Sequence, residues 1–247
     1  VCTPALGLAT QTTVADPTAA SSGQPVRRDF GAIIGSYRVI AFDRDALNRE
    51  LARNGFSSAA SAQPLYGFGL DASWHRFRFG VDVAQGTDET LKRAADNAQA
   101  SLSQSLGSFD VGYDVFVGRF FSVYPLFGLS FGTTSLKFDP SKAPLSPSSF
   151  TKYLDQKQVS IDASSMATNW ALGFMMFVPF IDPHKKHGFG TPGLTLDVRV
   201  GYLWGVSHDA WNEGRDTLPG LPTAHLQGPY ARLALGFALG RESYTGR

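Results

Sequence analysis

Between Leu194 and Val206 the chain changes character at every step: Leu194, Leu196, Val198, Val200, Tyr202, Trp204 and Val206 alternate with Thr195, Asp197, Arg199, Gly201, Leu203 and Gly205. A period of two sustained this long is a β-strand with one apolar face. The alternation recurs in Tyr66 to Trp74, Phe77 to Val83, Phe109 to Val117, Val123 to Phe131, Trp170 to Phe180 and Ala231 to Leu239, and less regularly in Phe30 to Ala41. Together these segments predict about eight strands. About 13 residues at ~3.4 Å each, tilted near ~45°, project to roughly 30 Å, the apolar thickness of a bilayer.

Two kinds of fold carry such strands: a soluble barrel or sandwich with the apolar face inward, or a membrane barrel with it outward. The second face decides between them. In a soluble β protein it meets water and carries Lys, Glu and Thr; here it carries Gly67, Gly69, Gly80, Gly112, Gly128, Gly173, Gly201 and Gly236, with Ser and Asp between them. Small residues suit the lumen of a narrow barrel. All seven lysines and all four glutamates lie outside the seven regular segments. The expected fold is therefore all-β, an antiparallel transmembrane β-barrel with short helical insertions in its long loops.

The connections alternate in length. Short ones fall at His75-Arg76, near Arg119 to Ser122 and across Asp182 to Gly193; long polar ones cover 43–64, 85–107, 139–165 and 207–228. Short periplasmic turns and long external loops are the outer-membrane pattern. Aromatic residues gather where the strands would leave the bilayer, Trp74 and Phe77 (with Phe120) toward the short turns and Tyr66, Trp170, Tyr202 and Trp204 toward the long loops, as interfacial girdles require.

In this architecture, over roughly residues 28–240, the chain resembles the small eight-stranded outer-membrane proteins of Gram-negative bacteria, the OmpA and OmpX type. The resemblance implies a bacterial outer-membrane location and lipid neighbours. One departure is that such proteins often end on a strand closing in Phe, whereas Phe237 and Leu239 are followed by a tail, 241–247. Residues 1–27 read as a flexible lead-in: 10–27 are rich in Thr, Ala, Ser and Pro without periodicity, and VCTPALGLA before them reads as the remnant of an export signal or as a plain leader.

Composition narrows the chemistry. A formal charge of +1 offers no concentrated positive footprint for nucleic acid, and a single cysteine, Cys2, builds neither a disulfide framework nor a CxxC metal site. No apolar run approaches the ~20 residues of a spanning helix. Eight charges fall on the inward face of the predicted strands: Asp71, Arg78, Asp82, Asp110, Asp114, Asp197, Arg199 and Arg232, with His75 and Asn169 nearby. Buried charge is costly unless paired, so these predict an ion-pair network that plugs the lumen; a proton or ion pathway is the sharper alternative.

The loops hold fewer signals. Asp43 to Gly55 has a capping residue, Leu47 and Leu51 at helical spacing, and a glycine stop, which predicts a short helix serving as a rim connector or as a lid. Thr87 to Ala100 is expected to form a second, weaker helix. Ser207, His208 and Asp209 fail as a local triad because neighbours on an extended chain point to opposite faces. His208 and His225 bracket one outer loop and would need a converging serine to make a lipid-modifying enzyme. His184 and His187 in DPHKKH are read as a basic turn facing head groups rather than a metal pair. No catalytic residue, metal or cofactor is assigned. The expected role is structural or recognition work through the long surface loops, with a lipid-modifying enzyme or a narrow solute channel as alternatives; the expected partners are outer-membrane lipids, with other envelope proteins as further candidates and nucleic acid excluded.

Overall fold

The computed structural model describes residues 27–95, 98–118, 120–139, 159–180, 190–208, 210–213, 216–217, 222 and 225–243. Eight long strands form the wall: β1 (Arg27–Ala41), β2 (Ala62–Trp74), β3 (Phe77–Gly86), β4 (Gln99–Tyr113), β5 (Phe121–Asp139), β6 (Val159–Pro179), β7 (Thr191–His208) and β8 (Gly228–Ser243). Each pairs antiparallel with its sequence neighbours, and β1 closes the ring on β8 from Arg27↔Ser243 to Ile40↔Tyr230. Closure leaves the wall without a free edge inside the membrane, where an unpaired amide has no water to bond.

Burial alternates along every strand, and it is inverted relative to a soluble protein. Ile33, Phe68, Leu70, Val81, Phe109, Phe127, Leu172, Val200, Leu235 and Phe237 are exposed, while Asp71, Asp82, Asp110, Asp197, Arg199 and Arg232 are buried. The outward apolar set on β7 is the predicted one, with Leu194, Val198, Val200 and Trp204 exposed and Leu196 and Tyr202 half-buried. Pairing runs slightly past the expected 28–240, taking in Arg27 at one end and reaching Ser243 at the other. Of the proposed terminal segments, 1–26 and 244–247 lie outside the described residues.

The β2–β3 turn is a two-residue hairpin with positive φ at both His75 (54°) and Arg76 (74°), the geometry of a type I′ turn. Neither residue favours that region. Replacing the pair by Asn-Gly should raise stability by about 1 kcal/mol, read from a shift in the urea midpoint at unchanged slope.

Two expectations need correction. The segment Phe109 to Val117 is not one strand: β4 ends at Tyr113, the Asp114 amide donates to the Arg76 carbonyl (2.8 Å), and Phe116–Val117 folds back on Ser122 and Val123 of β5. Thr87 to Ala100 is not a helix. Glu89–Lys92 pairs with Gln99 to Leu102 as a hairpin, because Leu91, Ala98, Ala100 and Leu102 all find an apolar core beyond the membrane. Among the described residues the one long-loop helix is α1 (Asp45–Arg53), with the Asp45 amide donating to Asp43 Oδ1 (3.3 Å) and Gly55 following it at φ 77°.

Candidate functional site: a filled lumen beneath a structured head

Strands β7, β8 and β1 set Arg199, Arg232 and Arg38 side by side, since Arg232 is in register with both of the others. Like charges directly opposite repel, so such a row persists only with carboxylates between its members. Asp82 on β3 accepts two bonds from Arg38 Nη2, both 2.9 Å, and lies 3.6 Å from Arg232 Nε. Asp197 joins Arg232 (3.0 Å) to Arg199 (2.7 Å). Arg199 also donates to both oxygens of Asp71 on β2 (3.0 and 2.9 Å) and to Asp110 on β4 (3.0 Å). One guanidinium thus holds three carboxylates from three strands.

Neutral groups extend the network. Asn169 Nδ2 donates to Asp110 (2.8 Å), the Tyr230 hydroxyl to Asn169 Oδ1 (2.6 Å), Ser108 to Asp82 and Tyr124 to Asp197. Nearer the short turns, Arg78 Nε donates to Asp114 (2.6 Å), its guanidinium lies over the Tyr124 ring (4.0 Å from its centre), and it also donates to Ser122. Glycines make the room: a Cβ at Gly80 would stand 2.7 Å from Asp71 Oδ1, and one at Gly128 would collide with Asp110. The space left beside Asp71, Gly80, Asp110 and Arg199 is a cavity of about 10 Å³, about the volume one water needs.

Apolar residues pack on both sides of the central Arg38–Arg232–Arg199 cluster, with the Arg78–Asp114 pair lying among those nearer the short turns. Phe30, Ile34, Leu126, Met175 and Phe177 pack toward the short-turn end; Ile40, Leu65, Leu106, Leu203 and Leu226 pack toward the other. Asp71, Arg78, Asp82, Asp110, Asp114, Asp197, Arg199 and Arg232 are all buried. Asn169 joins them, whereas His75 sits exposed in the β2–β3 turn. Sequence reasoning missed Arg38, Tyr124, Tyr230, Ser108 and Ser122. For Tyr124, Tyr230, Ser108 and Ser122 the available signal was position, since each occupies the inward phase of its strand; on β1 apolar residues on both phases mask it for Arg38.

Beyond the long-loop aromatic residues the wall continues as a structured head. The ends of β4, β5 and β6 at that side, the Glu89–Lys92 strand, and a short strand at Asn212–Glu213 that pairs with Asp162 form one sheet. Its inner face packs Leu91, Leu102, Leu136, Phe138, Ile161 and Trp211 against Leu51 of α1, with Leu47 at the margin. Arg44, just before α1, ties this head to the mouth by donating to Gln63 (2.5 Å), Gln104 (3.3 Å), the Ala60 carbonyl (2.6 Å) and Glu89 (3.2 Å). Burial lowers the Arg44 pKa from its ordinary value, and the Glu89 carboxylate partly offsets this.

Two aromatic bands flank the apolar wall. Trp74 and Phe77 face outward at the short-turn end, where Phe77 meets Tyr113 (5.4 Å between centres) and Phe116, Phe121 and Phe174 stack in series. Tyr66, Trp170, Tyr202 and Trp204 form the other band through Tyr37–Tyr66, Phe127–Trp170 and Tyr202–Trp204 pairs. Ser207 is exposed on β7 and His225 in the following loop; the His208 side chain, Asp209 and the whole DPHKKH turn lie outside the described residues.

A closed eight-stranded barrel with an apolar exterior, aromatic bands at both ends and charges locked inside has the architecture of a transmembrane β-barrel of the outer-membrane type. Among solved structures the chain is similar to Ail, the attachment invasion locus protein of Yersinia pestis, solved in complex with the heparin analogue sucrose octasulfate (10% identity, 86% of this chain and 98% of that one, TM-score 0.43). It is also similar to a major outer membrane protein from Thermus thermophilus (14%, 87% and 99%, TM-score 0.47) and to Neisserial surface protein A (14%, 85% and 96%, TM-score 0.36). No protein-family model matches the chain, and no curated protein matches it.

Proposed function

We propose that this protein is a non-conducting barrel that mounts a rigid extracellular head, and that the head serves recognition or envelope structure. The observation that carries this reading is the core inside the head: Leu51, Leu91, Leu136, Phe138, Ile161 and Trp211 are all buried there, although none of them faces the lumen of the membrane-spanning wall. External loops that only joined strands would have no need of a second hydrophobic core. A preorganised surface loses less entropy on binding than mobile loops would, which is what a recognition element requires.

The filled lumen supports the same reading, because its charges are paired with one another and the space left beside Arg199 is a cavity of about 10 Å³. Reconstituted protein in planar bilayers should show no steady conductance above the bare membrane. Stable, ohmic current from the unmodified chain would favour a solute channel instead. In parallel, protease added outside intact vesicles should leave α1 uncut at Arg49 and Arg53, while rapid cleavage there would remove the rigid head from the proposal.

A further inference from the structure

The outward face of the extracellular sheet has a composition that strand formation does not require. Three cross-strand rows run over it directly above the apolar wall: Ser105–Thr133–Ser164, Ser103–Ser135–Asp162 and Ser101–Lys137–Ser160. All nine side chains are exposed or half-buried, and their inward neighbours Leu102, Gln104, Leu106, Thr134, Leu136, Ile161 and Ala163 are buried. Seven of the nine carry hydroxyls, and the two charges are one lysine and one aspartate, the latter accepting a hydrogen bond from Ser135. Serine is not enriched in strands, and proteins that need only a soluble sheet surface generally use charged residues, lysine above all. Short side chains at regular strand spacing also lose little conformational entropy when they are fixed against a ligand.

Position narrows the partner. On β5 the outward series passes without a break from Phe127, Leu129 and Phe131, which face acyl chains, to Thr133, Ser135 and Lys137; on β4 it passes from Phe109 through Gly107 to Ser105, Ser103 and Ser101. The lattice therefore continues the lipid interface at the height of the outer-leaflet head groups. Its near-neutral charge does not suit a phosphate cluster, which would be met by arginine and lysine. A flat grid of donors and acceptors suits neutral sugar hydroxyls. We infer that this face is a lateral contact for the saccharide head groups of outer-leaflet glycolipid, holding the barrel against its lipid neighbours while the top of the head stays free. This inference rests on the proposed outer-membrane placement with the head on the external side, and does not depend on whether the lumen conducts or on what the head recognises.

The test uses the full chain in nanodiscs made with lipopolysaccharide bearing its core oligosaccharide, and in nanodiscs made with lipid A alone. The unmodified protein should unfold at a higher temperature in the first. A Ser103→Ala, Ser135→Ala, Ser164→Ala variant should lose that difference and release the saccharide-bearing lipid about ten-fold faster, while unfolding in detergent at the same temperature as the parent. The reverse outcomes overturn the inference: equal stability of the parent in both lipids, or a variant that keeps the saccharide-dependent gain. Soluble core oligosaccharide added to lipid A nanodiscs should give no comparable rise; a full rise there would identify a free glycan as the partner and reject the membrane glycolipid. A variant destabilised in detergent is replaced by single Ser103→Ala and Ser135→Ala changes, each read by lipid release.

Discussion

Arg199→Ala should destabilise the barrel by about 3 to 5 kcal/mol, because it removes the one cation shared by three buried carboxylates. Asp71, Asp110 and Asp197 come from three different strands and are each within 3.0 Å of the Arg199 guanidinium. After the change Asp197 keeps Arg232 and Asp110 keeps the Asn169 amide, but among the described contacts Asp71 loses its only ion pair. The apolar residues packed around the cluster limit the water that could replace what is lost. Adding Asp71→Asn and Asp110→Asn to the same chain should recover much of the stability, since removing both sides of a buried pair costs far less than removing one. Urea titration of folding into lipid, comparing the single and combined variants, measures both effects. A loss below about 1 kcal/mol for Arg199→Ala would mean that water screens the site, and would reopen the channel reading together with any current seen in bilayers.

How legible all this was in the sequence depended on which force set each residue. The membrane wall was readable because lipid on one side and a crowded lumen on the other impose a strict alternation, and Leu194 to Val206 shows it most fully. The inward charges were readable for the same reason. Arg38 was missed because β1 is apolar on both phases: Ile33 and Val39 face lipid, while Ile34 and Ile40 face the lumen, so neither face was marked. Tyr124 was missed because an aromatic residue in a membrane strand is expected at the outer interface; here its ring stacks under Arg78 and its hydroxyl bonds both Asp197 and Arg199. The head was misread for a different reason. Ala98, Ala100, Leu102 and Leu106 do recur at every second position, but small alanines and the polar Gln104 dilute the apolar phase, so 85–107 reads as a long polar connection with a weak helix. Only the three-dimensional meeting of α1, the β4–β6 extensions and Trp211 supplies that core.

Val200→Arg tests the inverted polarity itself and should cost about 2 to 4 kcal/mol. Val200 lies midway along the apolar face of β7, six residues from Leu194 and six from Val206, with Leu172 on β6 and Ala231 on β8 as its cross-strand neighbours. A guanidinium placed there must leave water for hydrocarbon or bend along the wall toward an interface, and either choice raises the energy of the folded state alone. Ser103→Arg supplies the control. It faces the same outward side of the wall, opposite Ser135 in the extracellular sheet, where the head group region or water can solvate the new charge and the expected cost falls to roughly 0 to 1 kcal/mol. Both substitutions introduce the same charged side chain on the outward phase of a strand, so a difference of about 2 kcal/mol or more between them in a folding titration reports the solvent that each face meets. Equal costs would place Val200 and Ser103 in one medium and remove the bilayer from around β7.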